Sequence, residues 1–127
     1  MNPMRVLIVD DEEELVQALV ERLKLRRIDA EGVTSGAAAL DAITCTNFDV
    51  ILIDVKMPGL GGIELVKRIK EHCPGLQVVL LTGHSSRQDA DEGMRLGAFD
   101  YLMKPVRLEN LLKTLEAAAG RSAETSE

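Results

Sequence analysis

Four short runs in this chain are continuously apolar, and each ends in a polar residue. Val6-Leu7-Ile8-Val9 leads into Asp10-Asp11, Val50-Ile51-Leu52-Ile53 into Asp54, and Val78-Val79-Leu80-Leu81 into Thr82. The fourth, Tyr101-Leu102-Met103, leads into Lys104-Pro105. Runs of this length, bounded by polar or turn residues, predict strands, Val50–Ile53 among them fully buried. A fifth and weaker strand is predicted over residues 28–33, where Asp29 and Glu31 interrupt the apolar pattern and suggest a sheet edge.

Between the strands the apolar spacing becomes helical. Leu15, Leu19 and Leu23 lie four apart, with Val16 and Val20 beside them, predicting a helix over residues 12–25 with an acidic first turn and a basic end. Ser35 is placed to cap a second helix, Gly36–Cys45, presenting Leu40 and Ile43. A turn-rich stretch, Lys56-Met57-Pro58-Gly59-Leu60-Gly61-Gly62, precedes a third helix carrying Ile63, Val66 and Ile69, which Cys73-Pro74-Gly75 ends. Ser85-Ser86-Arg87-Gln88 has the form of a capping box, predicting a fourth helix from about Ser86 to a left-handed cap at Gly97. Leu108, Leu111, Leu112 and Leu115 define a fifth.

Buried strands alternating with amphipathic helices imply an α/β fold whose parallel sheet is covered on both faces. Five such units with right-handed crossovers predict a single doubly wound, flavodoxin-like (βα)5 domain with strand order 2-1-3-4-5. The domain is expected over residues 4–119. Residues 120–127, polar and without period, are expected to be a tail or the start of a linker.

The 127 residues suffice for one core, and the net charge of −6 includes five consecutive acids, Asp10 to Glu14. Such a surface repels nucleic-acid phosphates, so direct DNA or RNA binding is not expected. No apolar run approaches a membrane span, and the N-terminus lacks a charged-then-apolar signal; a cytoplasmic location is expected. Cys45 and Cys73 form no CxxC pair and are read as reduced thiols.

The predicted strand order brings the chemistry together. In open α/β sheets, ligands bind beyond the carboxyl ends of the strands where the order reverses, here between the strands ending in Asp10-Asp11 and Asp54. Two carboxylates about 4 Å apart repel by roughly 4 kcal/mol at an effective dielectric near 20, so three would raise one another's pKa or recruit a cation. Oxygen donors favour Mg²⁺ over zinc. With a cation present, an aspartate can attack phosphorus, while Lys104 offers a positive charge and Thr82 a hydroxyl to phosphoryl oxygens. Each residue alone fits a solvated turn better; four strand ends together do not.

Asp10-Asp11, Asp54, Lys56-Met57-Pro58-Gly59, Thr82 and Lys104-Pro105 resemble the receiver domain of two-component response regulators, in order and spacing, over residues 4–119. The resemblance implies that Asp54 is the phosphoacceptor, with Lys104 pairing the phosphoryl group and Thr82 as the switch hydroxyl. It implies Mg²⁺ or Mn²⁺ held by Asp11, Asp54 and the Lys56 carbonyl, with Asp10 acting through a water. Tyr101 matches the aromatic switch position, and Lys56 and His84 match positions that influence the lifetime of the acyl phosphate. The implied partners are a sensor histidine kinase or phosphotransfer protein, with an output domain or a homodimer engaged through helix four, strand five and helix five. The chain is then a self-phosphorylating and self-dephosphorylating switch rather than an enzyme. A weaker likeness links residues 81–84 and 97–101 to receivers of nitrogen-regulation activators.

Three other readings are weighed. A flavin carrier would need a Ser/Thr/Gly-rich phosphate loop where this chain has Asp10 to Glu14. An aspartate-nucleophile phosphatase would need Asp-x-Asp after strand one, yet position 12 is Glu. A receiver fold that no longer takes phosphate would lack some of the matching residues, and none is missing.

Overall fold

A computed structural model describes the backbone of residues 3–125 and the side chains through residue 121. Five strands alternate with five helices: β1 Arg5–Val9, α1 Glu13–Leu25, β2 Asp29–Val33, α2 Gly36–Cys45, β3 Val50–Asp54, α3 Gly62–His72, β4 Gln77–Thr82, α4 Arg87–Arg95, β5 Asp100–Met103 and α5 Leu108–Thr125. All pairings are parallel and the order is β2-β1-β3-β4-β5, as the alternation predicts. β2, with its charged interruptions, is an edge.

The continuous apolar runs are explained by a core on each face of the sheet. Val6, Ile8, Val50, Leu52, Val79 and Leu81 pack under α1 and α5, against Leu19, Leu23, Leu111 and Leu115. Leu7, Val9, Ile51, Ile53, Val78 and Leu80 pack on the other side, with Leu65, Val66 and Ile69 of α3. Leu65 is wholly buried there and Ile63 only half-buried, so the α3 seam sits one step round from the Ile63-Val66-Ile69 stripe. α4 buries little: Ala90 and Gly93 are its buried residues.

The helix ends follow local chemistry. Ser35 accepts the Ala38 N–H at 3.1 Å, the expected N-cap. α4 closes with Gly97 at φ 113°, where the Gly97 and Ala98 N–H groups reach the Met94 and Gly93 carbonyls. That is the paired arrangement a left-handed glycine permits.

Two expectations are corrected. The Ser85–Gln88 capping box does not form. His84–Ser86 is a 3₁₀ turn, α4 starts at Arg87, and the Ser86 hydroxyl turns back to Gly83 instead of capping the helix. Ser86, at the end of the 3₁₀ turn, has φ −120° and ψ 18°, outside the extended conformation from which an N-cap side chain reaches its helix. Residues 120–125, read as an aperiodic tail, continue α5; Ser126 and Glu127 lie outside the described residues. Among the described residues no helix is long and apolar enough to cross a membrane.

Candidate functional site

The polar residues that end the apolar runs meet at one sheet edge. Asp54 closes β3 and aligns with Leu81 of β4; Asp10 follows β1, and the Lys104 N–H is tied to the Thr82 carbonyl at 2.8 Å. Carboxylate oxygens of Asp10, Asp11 and Asp54 lie within 4.8 Å of one another. Asp10 is fully buried, Asp54 nearly so, and Asp11 is exposed.

Lys104 balances the acids. Its Nζ donates to Asp10 Oδ2 at 2.8 Å and lies 3.5 Å from Asp54 Oδ2 and 3.4 Å from Glu12 Oε1. Burial alone would lower the ammonium's pKa; the bond and charge of Asp10, with the charges of Asp54 and Glu12, outweigh it and raise the value. Asp54 moves the other way from a typical carboxylate. Burial, and then the neighbouring Asp10 charge, push it up to about 6 against the smaller effects of the Lys56 N–H and Lys104. One ammonium does not neutralise this cluster, which therefore suits a hard divalent cation through oxygen donors.

The remaining expected residues are placed less uniformly. The Lys56 backbone N–H donates to Asp54 Oδ1 at 3.2 Å, whereas its side chain is exposed. His84 is exposed on the 3₁₀ turn. Tyr101 pairs in register with Leu80, two residues before Thr82, so both belong to the same sheet face. It is half-buried against the core beneath α3 and α4. Thr82 is fully buried, and its hydroxyl bonds Ser86 Oγ at 2.7 Å and the Gly83 carbonyl.

Glu12 and Ser86 are site neighbours that the sequence reading did not single out. By sequence Glu12 fits the acidic first turn of the first helix; its adjacency to Asp10-Asp11 is the available signal. Ser86 has the sequence context of a helix start, and nothing local reveals that it binds the residue ending β4. Ser86 Oγ also accepts the Gly83 N–H at 3.0 Å. Ser86→Ala is expected to cost about 1–3 kcal/mol by leaving that donor without its acceptor. It also leaves the Thr82 hydroxyl with the Gly83 carbonyl alone. Urea unfolding midpoints equal to wild type would contradict this.

Comparison with known proteins adds three findings. The family described as response regulator receiver domain matches residues 6–116. Among curated proteins, the chain is 36% identical over 111 residues to the DNA-binding transcriptional regulator NtrC of Klebsiella pneumoniae, covering 87% of this chain and 24% of NtrC. It is 32% identical over 127 residues to the uncharacterized transcriptional regulatory protein YkoG of Bacillus subtilis, covering all of this chain and 56% of YkoG. The chain thus spans little more than half, or less, of these relatives. Among solved structures, a receiver domain protein from Clostridium thermocellum superposes with a TM-score of 0.91 at 31% identity, covering 96% of this chain and 98% of that one. The receiver domain of NtrX from Brucella abortus superposes with a TM-score of 0.86 at 28% identity, over 91% and 98%.

Proposed function

This chain belongs to the response regulator receiver domain family of two-component systems, and we propose that it is a phosphorylation-driven switch whose acceptor is Asp54. The observation that carries this reading is the placement of the Asp54 carboxyl, at a sheet end, beside both an acidic cluster and the Lys104 ammonium. With a pKa of about 6, Asp54 is mostly ionised at neutral pH and so available as a nucleophile.

In the proposed step an Asp54 oxygen attacks the phosphorus of a phosphohistidine or a small acyl phosphate. A new P–O bond forms, the bond to the donor breaks, and the donor leaves with the electron pair. Lys104 then holds the phosphoryl oxygens by charge-assisted hydrogen bonds. Asp11, Asp54 and the Lys56 carbonyl, with Asp10 through a water, would hold Mg²⁺ or Mn²⁺, and three oxygen donors of this kind fit such an ion. Bound there, the ion neutralises phosphoryl charge that the acids alone would repel.

Signalling follows as a population shift. Contact with the phosphoryl group draws the Thr82 hydroxyl away from Ser86, and Tyr101 turns into the space on the shared sheet face. The thin packing of α4 supports its being the element that moves. The resulting α4–β5–α5 face engages an output domain or a second copy. The phosphodonor is a sensor histidine kinase or phosphotransfer protein, the location cytoplasmic, and the switching unit residues 4–119. The product is a covalent modification that the chain itself later removes, not multiple turnover; nucleic-acid contact belongs to any attached domain.

Intact mass after incubation with Mg²⁺ and acetyl phosphate tests the reading. One phosphoryl adduct is expected, absent when chelator is added before the acetyl phosphate, and borohydride reduction should convert residue 54 to homoserine. No adduct, together with no beryllofluoride binding, would overturn it. Lys56 and His84, both exposed beside the site, are read as setting the adduct's lifetime. Lys56→Ala is expected to change the dephosphorylation rate, and an unaltered decay would remove Lys56 from that role.

A further inference from the structure

Three carboxylates share the Lys104 ammonium, and they differ in how free they are to leave it. Asp10 is fully buried, and its second oxygen accepts the Glu12 N–H at 3.0 Å, so it cannot follow a moving partner. Asp54 is the group to be modified. Glu12 is different: its side chain is 66% exposed, and its carboxylate reaches Lys104 at 3.4 Å from the residue preceding α1. The hydrogen bond from its backbone to Asp10 sets its Cα beside the site, so the contact is delivered by the fold. The exposure of its side chain leaves the released carboxylate free to turn into solvent.

We propose that Glu12 is a positioning residue whose carboxylate holds Lys104 in the resting protein and must yield it to the incoming phosphoryl group, so that Glu12 limits how readily the site loads. This rests on the reading of Asp54 as the acceptor. As Asp54 attacks acetyl phosphate and acetate departs with the electron pair of the broken P–O bond, phosphoryl oxygens take the ammonium that Glu12 gives up. An exposed pair of this kind is weak, so the effect is a tuning of about threefold and not an on–off gate.

The test compares wild type with Glu12→Gln, Glu12→Asp and Glu14→Gln. Two quantities are measured: the phosphoryl uptake rate at low acetyl phosphate with Mg²⁺ fixed, and beryllofluoride affinity by calorimetry. Glu12→Gln should load about threefold faster and bind beryllofluoride about threefold tighter. Glu12→Asp keeps the charge but is one methylene shorter, so it should behave like Glu12→Gln. Glu14 makes no ion pair with Lys104 among the described residues, and its neutralisation should leave both quantities at wild-type values. Wild-type behaviour of Glu12→Gln would overturn the proposal. So would Glu14→Gln matching Glu12→Gln, or Glu12→Asp matching wild type, since either would mean general repulsion of the anionic donor. A wild-type protein that neither takes phosphoryl nor binds beryllofluoride would instead refute the acceptor reading, and this inference with it. Normal loading of wild type leaves only Glu12 at stake.

Discussion

Asp54→Asn is expected to abolish phosphoryl uptake and, in the metal-free protein at neutral pH, to raise stability by about 3 kcal/mol. The gain arises because folding works against ionisation of this carboxyl. An unfolded aspartate ionises near its ordinary 3.8, while native Asp54 holds its proton up to about 6, chiefly because it is buried and then because Asp10 is near. Below about pH 4 both states are protonated and the group costs nothing. Between the two values only the native state retains the proton, so stability falls as pH rises, and above about pH 6 the whole cost is present. Asparagine has the same shape, keeps an oxygen to accept the Lys56 N–H, and carries no charge.

Urea midpoints in chelator should therefore separate the two proteins at about pH 7 and bring them together at about pH 4. Magnesium should narrow the gap from the wild-type side, because ligands that bind only the native state stabilise it. Equal midpoints at neutral pH would show that Asp54 is not held ionised at a cost, and would remove the electrostatic argument for a cation there.

Gly62→Ala is expected to damage the fold and the site together. A Cβ at Gly62 would stand 2.6 Å from the Asp54 carbonyl oxygen and 2.7 Å from the Val55 Cα. Both are backbone atoms of the segment leaving β3, so no side-chain rotation relieves the clash. Overpacking of this kind costs about 1–3 kcal/mol, and the top of that range is expected because the obstruction is main chain. The segment forced to move carries Asp54 and Lys56, so magnesium affinity and phosphoryl uptake should fall in the same variant. Gly83→Ala is the control. A Cβ there meets nothing within 4 Å, and its stability should stay within about 0.5 kcal/mol of wild type. A Gly62→Ala protein with wild-type stability and magnesium affinity would show that α3 can shift away without disturbing the end of β3.

Much of the fold was legible because its signals are local. A four-residue run such as Val50–Ile53 can be uniformly apolar only if both faces are covered, and that condition already implies helices on each side. The interrupted β2 is an edge because Asp29 and Glu31 need water. Reading failed where a residue had two local uses. Ser86 has the chemistry of a cap, and only the 3₁₀ turn before α4 brings its hydroxyl to Gly83 and Thr82. Glu12 suits a helix start and also an ion pair with a residue 92 positions away. Residues 120–125 lack an apolar stripe, yet the α5 backbone continues through them.

The sequence by itself determined the strand and helix alternation, the strand order, the family and the acids, lysine and threonine that end the strands. Those follow from burial periodicity and from residue types at element ends, which nearby positions settle. The tertiary structure alone decided how the charges share one another: that Asp10 is wholly buried and bonded to Lys104, that Asp54 ionises only near 6, and that Thr82 rests on Ser86. Electrostatic energies depend on separations of a few ångströms and on exclusion of water. Groups distant in the chain acquire both only when the sheet edge has been assembled.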